Sequence, residues 1–431
     1  MSVAGASPSR LIHAAAGNRA VSASKRPYLV RHGSALPSSA PPVLRQKGCR
    51  RSAVRVQAAA TNEAKQLDPE KLFFQIFPPF FKPYFPAFGE RSTIKTELVE
   101  GQIWGFEQQQ QFFNLAVNIR CTIVKLQGGG LFVYAPVAPT KEFLAMVREL
   151  EGEHGKIKFI IEPTYGIEHK VFAGPFSRRF PDAKVFVPPG LWQWPLNLPS
   201  AFIGLLPTGG LLSNVKIPTE WDEELECRIL TTRNVGAGPF IEATFFHKPS
   251  KTLLVTDVVL QIPADPPEII ETEALLETAS DVKGQLAEDT PENRRIGWGR
   301  MSLLTAFFGP GNQRTGKGEE PSVVWSDGWQ DSFKSLTDQK LVVSPVLRSL
   351  VFSKSPDETR EWVDCVTKWN FERIIPAHES APIEATPEDL KRAFHFVYPE
   401  GTFEGELFNP LEGDMGALNS LQANLGKVGL S

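Results

Sequence analysis

No aspartate or glutamate occurs before Glu63, although 49 of the 431 residues are acidic. The acid-free span holds ten Lys or Arg, many Ser and Ala, and scattered Pro. Positive charge, hydroxyls and small side chains without carboxylates are what a transit peptide requires. We therefore expect a chloroplast transit peptide over residues 1–57, processed within RRSAVRVQAA (residues 50–59). A basic tail that binds nucleic acid and a mitochondrial leader are the competing readings. The Pro-interrupted, non-helical composition favours the plastid.

Cysteine is scarce too. Cys49, Cys121, Cys227 and Cys365 stand far apart with no CxxC pair, which gives no zinc-ribbon or thioredoxin signal. No apolar run approaches the ~20 residues of a membrane span, and no second hydrophobic signal follows the processing site. The stroma is therefore expected rather than the thylakoid lumen. Loss of the ten basic residues leaves an acidic remainder, which argues against a nucleic-acid partner. About 370 residues remain, enough for one large domain or two small ones.

What is present begins with an aromatic, Pro-rich arm, expected over 58–98. Residues 72–88 hold eight aromatics and four prolines, a density that forbids a regular helix or a central strand. The arm either lies extended across the domain with its rings buried, or offers a surface for thylakoid lipid or a partner protein. Residues 118–126 alternate, with Ile119, Cys121 and Ile123 on one face, and read as a half-buried strand hairpinned to 131–135. Thr140 is a plausible N-cap for a helix whose apolar face is Phe143, Leu144, Val147 and Leu150. A buried strand at 158–161 completes a strand–helix–strand unit, the local signature of a layered α/β fold.

The order repeats with strands at 184–188 and 228–232 and a hairpin of 240–246 with 252–259. A helix at 358–369, a short strand at 371–375 and a helix at 387–397 follow. Residues 260–340 lose this rhythm and read as a long insertion. The Gly- and Asn-rich tail, counted from 401, is expected to be weakly structured after Phe408.

Four polar residues fall at the ends of expected strands: Glu168 and His169 after 158–161, Asp257 on TLLVTDVV, and His378 after 371–375. Outside the leader the chain has only five histidines, His154, His169, His247, His378 and His395. Carboxylates and imidazoles carried at strand ends by a rigid sheet suit a borderline divalent metal.

Here the chain resembles the metallo-β-lactamase-like superfamily, and within it a branch classed as a domain of unknown function and known mainly from cyanobacteria, plants and algae. The resemblance covers roughly 101–397. In IIEPTYGIEHK, Thr164 and Gly166 stand where that family's loop has its first two His, and Glu168-His169 stand at its Asp-His pair. Asp257, in LLVTD, stands at the bridging Asp, and His378, in IIPAHE, at the terminal His. The resemblance implies a four-layer αββα sandwich over 99–400, interrupted by the 260–340 insertion. It also implies that the first metal site is lost, because NVGAGPF lacks the third His as well. Glu168, His169, Asp257 and His378 keep a residue of the right type at every position of the second site, an N₂O₂ set for one zinc, iron or manganese ion.

Lesser candidates complete the list. Arg178 and Arg179 follow Glu168-His169 closely enough to clamp an anionic substrate group, or are a solvated helix end. Glu242 and His247 have opposite parity on one strand, and His247 is expected to orient the hairpin turn. Trp192 and Trp194 wall a pocket or anchor a loop. GNQRTGKG (residues 311–318) imitates a phosphate loop but lacks the Ser or Thr for magnesium and is read as a loop. Two functions stand: a metal-dependent hydrolase acting on a small molecule, its catalytic residues unassigned, or a catalytically silent binding or assembly factor for a protein partner.

Overall fold

The computed structural model describes residues 67–427 except 75–87, 113–114, 192–196, 216–219, 235–237, 283, 308–312, 316–322 and 326–327. The expected transit peptide, most of the aromatic arm, Trp192, Trp194 and most of GNQRTGKG lie outside the described residues.

A small ribbon of β1 (Leu72–Phe74) and β2 (Phe88–Glu90) precedes a seven-stranded sheet. Its spatial order is its chain order: β3 (Ile94–Val99), β4 (Ile103–Phe112), β5 (Leu115–Lys125), β6 (Leu131–Tyr134), β7 (Ile157–Ile161), β8 (Lys184–Val187) and β9 (Gly210–Leu211). The sheet thus begins at Ile94 and takes in the end of the expected arm. The first four strands meander antiparallel, and β6 to β9 run parallel. Their crossovers are α1 (Lys141–His154) and α2 (Ile167–Ser177). Thr140 caps α1, its side chain accepting from the Phe143 amide at 3.2 Å.

A five-stranded sheet follows, ordered β10 (Leu225–Asn234), β11 (Pro239–His247), β12 (Thr252–Leu254), β15 (Arg373–Ile375) and β16 (Ile383–Glu384). Between β12 and β15 lie α3 (Thr272–Ala279), α4 (Pro291–Phe307), the pair β13 (Gln313–Thr315) and β14 (Val323–Trp325), α5 (Trp329–Thr337), α6 (Pro345–Leu350) and α7 (Pro356–Val366). The chain ends in α8 (Pro387–Ala393), with a Thr386–Asp389 capping box, and α9 (Gly416–Lys427).

The layering can be read from what each strand buries. On β5, Ile119, Cys121 and Ile123 pack under Phe143, Val147 and Phe172 of α1 and α2. The opposite face of this sheet, with Val124, Phe132 and Ile161, packs against Ile229, Ile241, Phe245 and Ile375 of the second sheet. The outer face of that sheet, with Phe246, Leu253 and Ile374, is covered by Trp362, Val363 and Leu390 of α7 and α8. Helix, sheet, sheet, helix: the αββα sandwich.

Two expectations change, on β5 and on the tail, and the insertion gains an internal structure. β5 is not half-buried; residues 118–124 are buried on both faces because a second sheet covers the polar parity. The 260–340 insertion is a helical layer with its own core, in which Trp298, Met301 and Phe307 pack with Ile269, Leu275 and Leu336. The tail is not weakly structured, since Leu418 of α9 is fully buried in that same core. Among the described residues, no helix is long and apolar enough to cross a membrane.

Candidate metal centre

Three segments deliver the four residues. β12 and β15 are parallel, with Leu254 paired to Ile375, so Asp257 and His378 each leave the same sheet end three residues past that pair. Ala377 N donates to Thr256 O at 3.3 Å and keeps the two exits together. The third segment crosses between sheets. After β7, Ala243 N donates to Pro163 O (2.7 Å), Thr164 bridges Glu242, and Tyr165 N donates to Ile241 O (3.0 Å). The chain thus runs along β11 and starts α2 at the ends of β12 and β15.

Glu168 and His169 therefore stand in the first turn of α2, where a loop was expected, and Asp257 lies in a turn beyond β12, which stops at Leu254. One ligand atom from each of Glu168, His169, Asp257 and His378 lies within 4.8 Å of all the others. His169 Nε2 is 3.2 Å from His378 Nε2, and Asp257 is 3.2 Å from His378 Nε2 and 3.7 Å from His169 Nε2. Two nitrogens ~2.0–2.1 Å from one tetrahedral zinc stand roughly 3.3–3.4 Å apart, so the imidazole pair has the separation that a shared ion requires.

The proton positions follow from the partners. His378 Nδ1 lies 2.7 Å from Asn118 O. A carbonyl only accepts, so Nδ1 carries hydrogen and the Nε2 lone pair of the neutral ring faces the cluster, the arrangement by which proteins orient metal-binding His. Among the described residues His169 has no such support, and its buried Nδ1 has no hydrogen-bond partner there. Burial opposes charge on Asp257, but hydrogen bonds to His169 and His378 outweigh it and hold the carboxyl below the usual range. For His378, burial favours the neutral ring, while Asp257, Glu168 and the Asn118 carbonyl push it up to about 9. Both directions follow from the contact of Asp257 with His378 Nε2, a contact that a bound ion would replace.

Gly166 explains one departure from the family pattern. A Cβ there would lie 3.0 Å from Glu168 Oε1 and 3.3 Å from His169 Cδ2, so a side chain at 166 would compete with two of the four groups for space. Thr164 is buried and accepts from the Gly166 amide at 3.3 Å, shaping the turn into α2. The NVGAGPF segment is only partly described, with 235–237 outside.

Several residues at the centre were not assigned to it from sequence. Asn118 Oδ1 accepts from Glu379 N (2.7 Å), and its Nδ2 donates to Glu379 O (3.0 Å). Arg120 donates to Pro376 O and, at 2.6 Å, to Glu379 O, while pairing with Glu107 at 2.6 Å. Strand β5 of the first sheet therefore grips the loop that carries His378. Its sequence signal was an Arg and an Asn at the second parity of a strand otherwise rich in Ile and Val. Glu242 accepts from Thr256 N (2.7 Å), Asp257 N (2.9 Å) and Val258 N (3.2 Å). Burial and Asp257 push its carboxyl up to about 7. Burial likewise raises Glu162 and lowers Lys170 to about 8.

Arg178 and Arg179 are not part of this cluster. Arg178 is the C-cap of α2, at the opposite end of the helix from Glu168, and donates to Gly204 O at 3.1 Å. The Arg179 carbonyl accepts from Arg148 at 2.9 Å. Both lie at the helix end, away from the four clustered groups. His247 Nδ1 meets Ser250 Oγ at 2.6 Å, orienting the β11–β12 turn as expected.

The αββα sandwich is the fold expected from the resemblance to the metallo-β-lactamase-like superfamily, and its carboxylates and imidazoles gather where α2 starts and where the chain leaves β12 and β15. Solved structures similar to it include a metallo-beta-lactamase from Pontibacter korlensis (10% identity, TM-score 0.34, covering 70% of this chain and 99% of that one). Another is a metallo-beta-lactamase from Hirschia baltica (11%, 0.34, 72% and 99%). A third is a putative diflavin flavoprotein fragment from Nostoc (8%, 0.41, 72% and 96%). Among curated proteins no match was found. Residues 100–396 match the family described as Domain of unknown function (DUF4336), and the chain belongs to that family.

Proposed function

We propose that the protein is a hydrolase-like enzyme of the chloroplast stroma that works with one divalent ion. Glu168, His169, Asp257 and His378 would hold the ion, and zinc, iron and manganese all suit two imidazoles and two carboxylates. The observation that carries this reading is the gathering of four ligand atoms within 4.8 Å from segments up to 210 residues apart. When bound, such an ion supplies Lewis acidity to a water or a substrate oxygen. The chain's own residues do the rest. The Asn118 carbonyl holds the His378 ring, Asp257 balances positive charge, and Thr164 with Gly166 brings the start of α2 up to the site. The plastid location rests on the acid-free, basic leader.

Elemental analysis of the purified chain should find about one equivalent of metal. His169→Ala and His378→Ala should each lose most of it, together with any phosphoesterase or thioesterase activity of the wild type. A wild type that arrives metal-free and takes up no zinc, iron or manganese sinks the enzyme reading and leaves the silent binding or assembly factor. A fluorescent fusion of residues 1–60 should enter the chloroplast; cytosolic or mitochondrial signal rejects the address.

A further inference from the structure

We propose that Glu242 is the positioning residue of this centre, fixing the direction of the Asp257 side chain before any ion arrives. The inference rests on the metal reading above and adds the group that makes it work. Strand β12 ends at Leu254, and the last ladder bond runs from Val255 N to Ile375 O. Past that point the amides of Thr256, Asp257 and Val258 turn out of the sheet, and Thr256 and Val258 are buried. Buried amides need acceptors. Glu242 supplies all three from its two carboxylate oxygens, at 2.7, 2.9 and 3.2 Å. A carboxylate accepts without donating, so three converging N–H groups suit it and no neutral side chain of the same size.

The place of Glu242 in the fold strengthens this assignment. Its backbone bridges Thr164 in the segment that crosses to α2, and its carboxylate holds the Asp257 turn. Thr256 O in turn accepts from Ala377 N in the loop of His378. One residue thus joins the three segments that bring His169, Asp257 and His378 together. A glutamine has the same shape but only one acceptor oxygen, and its NH₂ would face at least one of the three amides. An aspartate keeps charge and acceptors but is one methylene too short to reach all three.

The test uses the full chain, stripped of metal, as wild type, Glu242→Gln, Glu242→Asp and a control, Val363→Ala, in the core under α7. Zinc titration and amide hydrogen exchange are read on each. Glu242→Gln should lose about 10–100-fold in zinc affinity, with exchange at residues 256–258 faster by about tenfold or more. Val363→Ala should lower thermal stability and leave zinc affinity alone, which separates positioning from general destabilisation. If Glu242→Gln does not fold, Glu242→Asp carries the same two readouts with a smaller loss. Wild-type zinc affinity alongside faster exchange at 256–258 overturns the positioning role. A wild type that binds no zinc overturns the metal reading, and exchange then decides alone: faster exchange in the variants keeps Glu242 as the anchor of the turn, and unchanged exchange removes it.

Discussion

At the scale of single residues, the centre depends on buried polar groups that have few alternatives. Arg120 is almost fully buried, and its guanidinium spans Pro376 O, Glu379 O and Glu107. Removing it takes the cation from Glu107 and the guanidinium donors from both carbonyls, leaving Asn118 Nδ2 as the donor to Glu107 and to Glu379 O. Arg120→Met should cost about 3 kcal/mol in urea unfolding, and the double variant Arg120→Met/Glu107→Met should cost less than the single one, because the half-buried Glu107 carboxylate is no longer left without its cation. A double variant that is merely additive would show the pair to be independent. His247 gives a second test, away from the metal centre. Burial lowers its pKa to about 4, so the folded chain keeps the ring neutral while the unfolded chain protonates it near 6.5. Between those values the unfolded state binds more protons, so stability is full above about pH 7 and falls as pH drops through the window. Compared with His247→Asn, the wild type should lose about 2 kcal/mol more between pH 7 and pH 5.

At the scale of elements, the helical layer between β12 and β15 turns on one close approach. A Cβ at Gly297 of α4 would lie 2.0 Å from Leu275 O and 2.7 Å from its carbonyl carbon in α3. The obstacle is backbone, which cannot swing aside. Gly297→Ala should therefore part the two helices and cost about 3 kcal/mol, read as a lowered denaturation midpoint; an unchanged midpoint would mean that the helices slide freely. The same layer shows where sequence reading stops. The α4 pattern PENRRIGWGRMSLLTAF mixes charge, glycine and apolar residues because the helix is buried on several sides, so no single-face period appears. The Gly- and Asn-rich tail hid α9 for a related reason, since Leu418 finds its stability in tertiary packing and not in local propensity. By contrast α1 was legible because it buries a regular stripe, β5 because its apolar residues alternate, and β6 and β7 because each is a short apolar run bounded by turns or by the helix. Of the site, the four clustered side chains could be placed by motif order and strand ends. The grip of Asn118 and Arg120 on the His378 loop could not, because it spans some 260 residues and leaves no local trace.

At the scale of the whole molecule, the centre lies where the two halves of the sandwich meet. Glu168 and His169 come from the crossover of the first sheet, Asp257 and His378 from the second. The shared interior between the sheets is apolar, with Phe132, Phe245 and Ile375 in one cluster. An ion held by all four groups would thus tie one sheet's crossover to the other sheet's loops, and it would bind the folded chain alone. Ligand present at 100 times its dissociation constant then stabilises the fold by about 2.7 kcal/mol. Chelation should lower the melting temperature of the wild type by the corresponding amount, and added zinc should restore it. In His169→Ala and His378→Ala the chelator should have little effect, because the tie is already cut. Differential scanning calorimetry with and without chelator checks this directly. If the wild type melts at the same temperature in both conditions while metal is demonstrably bound, the ion does not join the two sheets. The hydrogen bonds that link Asn118, Arg120 and Glu242 to the His378 and Asp257 loops would then account for the junction by themselves.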